Sequence, residues 1–306
     1  MRKQASLYAP RNWPIWFTFG LLRLCILLPY PAIMSLGRSI GRLIKKMVGR
    51  RTKIARINLD LCFPELSNPE RSRLLLGHFE SLGMGLMEFG LTWWGSDKQI
   101  FSRLKVTGRE HIAAALSQDK GIILMTGHFT SIELAGRIIH QYIPIHPVYR
   151  PHENPVVQHF IAGGRERIVG VGGGIPREDV RSIIRCLRNK QTVWLATDQN
   201  YGHKGRVFSR FFGVPAATNS SITRLAKMTG AVVLPAVVLR QKDHLGHELL
   251  IESPLTPYPT GDLQQDVQAI NDVIESWTRK APEQYNWIHR RFKTRPKGEK
   301  RFYDGL

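Results

Sequence analysis

"GIILMTGHFTSIELAGR", residues 121–137, decides the fold. Its opening "GIILMT" is an apolar run of the length and composition of a buried strand, while "SIELAGRIIHQY" behind it has helical periodicity. The turn between them carries Gly127 and His128. The same exchange of β-like and helical runs recurs on both sides. "LKVTG" precedes "REHIAAALSQ", "HPVYR" precedes "NPVVQHFIAGGRERI", "DVRSIIRCLR" leads into "QTVWLAT", and "SSITRLAKMTG" into "AVVLPAVVLR" and "ELLIES". Strand and helix in alternation predict an α/β domain, a largely parallel sheet flanked by helices, here over residues 63–306. A helix is expected to begin near Pro69, with Ser67 or Asn68 as its cap, and to run through "LTWW". The last helical run, from "LQQDVQ" onward, should bend or break at Pro282.

The first 62 residues have another character. "WPIWFTFGLLRLCILLPY", Trp13 to Tyr30, is interrupted only by Arg23 and is about long enough to cross a bilayer. No small-residue cleavage site follows it, so residues 1–31 are expected to be a retained membrane anchor, with Trp13, Trp16 and Tyr30 at headgroup level. Residues 32–62 contain "IMSLGRSIGRLIKKMVGRR", in which Ile33, Leu36, Ile40, Leu43, Ile44 and Met47 form one side of a basic helix suited to an anionic leaflet. An ordinary domain helix with a solvated basic face is the alternative. If the anchor crosses, the positive-inside rule leaves the remainder in the cytoplasm.

Charge and cysteines narrow the classes further. The chain of 306 residues has 44 Lys and Arg against 24 Asp and Glu, a net charge of +20 that calls for an anionic partner. No acidic residue occurs before Asp60, and the same segment holds twelve basic ones around the most apolar stretch, a membrane pattern rather than a nucleic-acid one. Cys25, Cys62 and Cys186 are odd in number and scattered, and suggest neither a disulfide framework nor a zinc cage.

The chemistry centres on His128 and Glu133. Inside one regular helix two residues five apart would point ~140° away from each other, so the pair can meet only if His128 precedes the helix. A carboxylate one turn in could then orient the imidazole and raise its basicity. Two plainer readings stand beside this one: "TSIE", residues 130–133, has capping-box spacing, and His128 could be a satisfied strand-end histidine. Other mechanisms lack their parts. There is no G-x-S-x-G, H-E-x-x-H or Walker loop, and "GVGGGIP" at 170–176 misses the third glycine of a dinucleotide fingerprint. A histidine base acting on a hydroxyl needs only an activated carbonyl, such as a thioester, and donors for the oxyanion. Arg150, Arg165 and Arg167 are candidate donors.

"GHFTSIELAGR", "YRPHENP", "GGRER", "WLATDQNYGHKG", "VFSRFFGVPAAT" and "APEQYNWIHRRFKTRP" together resemble the late acyltransferases of lipid A biosynthesis, over essentially the whole chain. That family belongs to the glycerolipid acyltransferases, whose usual N-H-x-x-x-x-D is here Gly127-His128 with Glu133. The resemblance implies transfer of a fatty acyl chain, lauroyl or palmitoleoyl, from acyl carrier protein to a hydroxyacyl chain of a Kdo-bearing lipid A precursor at the cytoplasmic face of an anionic inner membrane. It implies no metal, no bound cofactor and no nucleic acid. It assigns His128 as general base, Glu133 as its orienting carboxylate and Arg165 to the oxyanion or substrate, with Arg150, Arg167, Asp198, Gln199 and Lys204 binding substrate. A glycerophospholipid acyltransferase and a non-catalytic binder of anionic lipid are the rival readings.

Overall fold

A computed structural model describes residues 7–169, 174–203 and 205–306. Strand β2 (Ile122–Thr126) lies at its centre with all five residues buried, as its unbroken apolar run requires. β5 (Thr192–Ala196) and β8 (Val232–Arg240) flank it in parallel. Beyond β5 come β3 (His146–Tyr149) and β4 (Ile175–Pro176), both parallel. Beyond β8, β9 (His247–Ile251) reverses direction and pairs with β1 (Leu104–Thr107), so the seven-stranded order is β1-β9-β8-β2-β5-β3-β4. The expected α/β architecture is present, with one antiparallel junction.

A hairpin that the strand–helix alternation gave no sign of, β6 (Arg206–Phe211) and β7 (Val214–Asn219), forms a second sheet. Its two-residue turn is Phe212-Gly213, both at positive φ, a conformation usually announced by Asn-Gly or Asp-Gly.

Helices cover both faces. α6 (Arg109–Leu116) and α7 (Ile132–His140) bury Ile112, Ile138 and Ile139 on one side. On the other, α3 (Gly49–Cys62), α9 (Val180–Arg188), α10 (Ser221–Thr229) and α11 (Leu263–Lys280) enclose a larger core containing Phe79, Trp277, Trp287 and Phe292. α11 stops at Lys280 and a 3-10 turn takes up Pro282–Gln284, the break that Pro282 imposes. A short α5 (Asp97–Phe101) precedes β1. The longest helix, α4 (Asn68–Trp94), starts at Ser67 with a capping box, Glu70 reaching back to the Ser67 amide at 2.7 Å.

The amino-terminal segment requires a correction. No described helix is long and apolar enough to cross a membrane. The run from Trp13 to Tyr30 divides into α1 (Trp13–Cys25) and the start of α2 (Tyr30–Met47), with Pro29 as the cap between them. At 1.5 Å per residue α1 is only ~20 Å long, against a hydrocarbon core of ~30 Å. One side of α1, with Phe19 and Leu22, packs with α4 and with α8 (Pro155–Val169). The other leaves Trp13, Phe17, Leu21 and Leu24 exposed in a line.

Candidate active site

Parallel register brings the site together. Thr126 of β2 lies opposite Ala196 of β5, and two residues beyond each strand end stand His128 and Asp198. His128 Nδ1 is 2.6 Å from Asp198 Oδ1, and the His128 backbone N–H donates to Oδ2 at 2.9 Å. Asp198 is buried, while the His128 side chain keeps 29% of its surface exposed. A carboxylate acceptor at Nδ1 places the ring proton there and leaves the Nε2 lone pair to act as a base. Burial alone would depress the His128 pKa, but the Asp198 charge and hydrogen bond outweigh it and raise it. For Asp198 burial pushes upward, and the imidazole beside it brings the carboxyl down to about 2.

The contact expected between His128 and Glu133 is therefore replaced. α7 begins at Ile132, so Glu133 is in its first turn, but both its oxygens are taken by Arg165, from Nε at 3.0 Å and Nη2 at 2.8 Å. The capping box is not formed either: Ser131 Oγ donates to the Val238 carbonyl, and Thr130 Oγ1 accepts from Arg240. Arg165, on α8, lies over the Tyr149 ring with 5.3 Å from guanidinium carbon to centroid. A pocket of about 20 Å³, lined in part by Ile145, Ile168 and Trp194, lies against the pair; it has room for little more than one water.

The other sequence candidates scatter. Arg150 is exposed and pairs with Glu153. Arg167 is exposed and donates to the Gly163 carbonyl. Asp198, read from the sequence as a substrate-binding residue, is instead the buried partner of His128. Gln199 follows it, half-buried. Lys204 lies outside the described residues, as do positions 170–173 of the glycine-rich stretch.

Sequence reasoning missed what holds the His128 loop. The segment after α11 returns to it: the Asn286 N–H donates to the His128 carbonyl at 3.0 Å, the Thr130 N–H to the Gln284 carbonyl at 2.8 Å, and Phe129 bridges Tyr285. His289 accepts the Asn200 N–H at 3.0 Å, and burial keeps its pKa down at about 4, hence neutral. Below the loop a buried network joins three elements. Arg240 at the end of β8 donates to Glu88 of α4 at 2.5 and 2.9 Å, to Ser81 at 2.9 Å and to Thr130 at 3.0 Å, and His247 of β9 meets Glu88 at 2.8 Å. A buried charge without such partners would be very costly. The sequence shows these residues far apart, with nothing in their spacing to join them.

A largely parallel α/β sheet with a carboxylate-backed histidine at its strand ends is equipped for base chemistry, and comparison with known proteins gives the class. The model for the bacterial lipid A biosynthesis acyltransferases matches residues 1–294, and the chain belongs to that family. It is an acyltransferase. It is 40% identical over 294 residues to the lipid A biosynthesis lauroyltransferase of Escherichia coli (strain K12), covering 96% of this chain and 95% of that protein. Identity to the palmitoleoyltransferase of the same organism is 39% over 295 residues, with the same coverage. Among solved structures, the 1-acyl-sn-glycerophosphate acyltransferase PlsC of Thermotoga maritima aligns with a TM-score of 0.40 at 17% identity, over 80% of this chain and 97% of that one.

Proposed function

We propose that this enzyme moves a lauroyl or palmitoleoyl chain from acyl carrier protein to the free hydroxyl of a hydroxyacyl chain on a Kdo-bearing lipid A precursor. The observation that carries the reading is the His128–Asp198 pair with Nε2 left open, in a chain as similar to a lauroyltransferase as to a palmitoleoyltransferase. The lipid hydroxyl attacks the thioester carbon as Nε2 of His128 takes its proton. The carbon–sulfur bond then breaks, and the imidazolium returns the proton to the departing thiolate. Asp198 holds the tautomer and stabilises the imidazolium. Arg165, fixed by Glu133, offers its remaining N–H groups to the oxyanion. Glu133 thus serves through Arg165, a different role from the one its sequence position suggests.

The enzyme works on the bilayer surface, with the exposed line of Trp13, Phe17, Leu21 and Leu24 set into the interface. With no crossing helix among the described residues, the positive-inside rule no longer gives the side of the membrane. The cytoplasmic face follows instead from the donor and from the basic residues of α2 and α3, which suit an anionic leaflet.

The test supplies purified enzyme with a mixed pool of acyl carrier thioesters and two acceptors, the lipid A precursor and lysophosphatidic acid, and identifies the products by mass spectrometry. Acylation of the lipid A precursor with twelve- or sixteen-carbon chains, abolished in His128→Ala with the melting curve unchanged, is the expected result. Acylation of lysophosphatidic acid alone would establish the glycerophospholipid reading in its place.

A further inference from the structure

Helix α9 carries an exposed row of Arg181, Arg185 and Arg188. Their spacing of four and three residues sets them on one face, along ~10 Å of helix. With Ile184 and Asn189 they border an open depression on the helix surface. Among the described residues none of the three is in an ion pair: Glu178 is engaged by Arg177, and Asp179 caps the helix through the Ser182 N–H. Of the two elements that pack most on α9, helix α10 carries Arg224 and Lys227 and no acid, and β5 has no charged residue. Asp179 at the helix cap is the acid that feels the row, its carboxyl held below the usual range first by the Ser182 hydrogen bonds and in part by Arg185 and Arg181, and one carboxylate leaves the three arginines with a net positive charge.

We propose that this face of α9 is the docking surface for the acidic carrier protein that presents the acyl thioester. The inference rests on the donor proposed above and adds where it binds. α9 runs back between the parallel strands β4 and β5, so its amino terminus lies at the edge of the sheet where β5 ends and Asp198 begins. A carrier seated on Arg181 and Arg185 stands beside the edge at which His128 works.

Three features favour a protein over the bilayer. All the cations of the row are arginines, which grip carboxylates with two parallel hydrogen bonds and are enriched at protein interfaces, where lysine is depleted. Ile184 lies among the arginines and Val180, 49% exposed, is next to Arg181, giving the face a small apolar centre and no membrane-seeking ring. The exposed apolar line that suits the bilayer belongs to α1, which packs on α4 and α8.

The test compares the full-length enzyme with R181E/R185E/R188E and with the neutral R181Q/R185Q/R188Q, first checking that each melts as the parent does. Two donors are used at fixed lipid acceptor: lauroyl-acyl carrier protein, and lauroyl-coenzyme A, which has the thioester without the protein. The charge reversal is expected to raise KM for the carrier donor about tenfold or more, with kcat little changed, and to flatten its dependence on salt. The neutral variant falls between, and turnover of lauroyl-coenzyme A stays at the parental level. An equal loss with both donors, a rise in KM for the lipid acceptor alone, or weakened binding to anionic vesicles with the carrier KM unchanged would each overturn the proposal. Parental enzyme that ignores carrier thioesters while using lauroyl-coenzyme A would refute the donor reading itself, a separate outcome.

Discussion

A histidine that takes a proton from an alcohol must be neutral at the working pH and yet basic enough to accept, and the Asp198 carboxylate sets that balance. Burial lowers the His128 pKa and Asp198 raises it further than burial depresses it. Only the neutral imidazole can act, so turnover should fall as the pH drops through this raised value. In Asp198→Asn the anion is gone and burial remains, so the acid limb of the kcat profile should move to lower pH while kcat itself falls by roughly 10²–10⁴-fold. A pH–rate series on the two proteins checks both, and an unmoved limb would separate Asp198 from the titrating base. At this scale the sequence was half legible. His128 was placed correctly ahead of its helix, because a strand, a glycine and a helical period are local signals. Its partner was misassigned to the nearest acid in sequence. The informative signal was in two strands: "LMTGH" and "WLATD" place histidine and aspartate at the same offset from strand ends that pair in register. Only the sheet order shows that those strands are neighbours.

Between elements, α2 and α4 approach each other closely through glycines. A Cβ on Gly83 would lie 2.0 Å from the Gly37 carbonyl oxygen, and one on Gly41 2.0 Å from that of Phe79, both backbone atoms that cannot swing aside. Gly83→Ala should therefore force the helices apart and destabilise the fold by roughly 1–3 kcal/mol, read as a melting temperature several degrees lower. Gly49→Ala, where nothing lies within 4 Å of the added carbon, is the control and should melt close to the parent. Helix ends with chemical punctuation, such as the Ser67–Glu70 start of α4 and the break at Pro282, could be read in advance. The Phe212-Gly213 hairpin and the Glu88–Arg240–His247 network could not, the first because its turn lacks the usual residues, the second because it is long-range and nothing in its residues' spacing joins them.

On the scale of the whole molecule, α1 presents an exposed apolar line that no other described element covers. Trp13, Phe17, Leu21 and Leu24 contribute nothing to the core they face away from. Replacing Phe17, Leu21 and Leu24 together by Asp should leave the melting curve nearly unchanged and reduce cosedimentation with anionic vesicles severalfold. Turnover should decline when the acceptor is in vesicles and persist when it is dispersed in detergent. Retention of the variant on vesicles at parental levels would assign membrane contact to another surface. The apolar composition of this segment was plain from the sequence, but hydropathy counts residues in a row, whereas the turn ahead of Pro29 and the partly buried face of α1 divide that row into something too short to cross.

The strap from residue 282 to 292 crosses back over the His128 turn, and Gln284 and Asn286 fasten to it through the backbone. Translation delivers the two parties in the opposite order, the turn early and the strap near the finish. A chain that has emerged past the turn but not yet past the strap therefore holds His128 without the Asn286 and Gln284 backbone hydrogen bonds that fasten its loop.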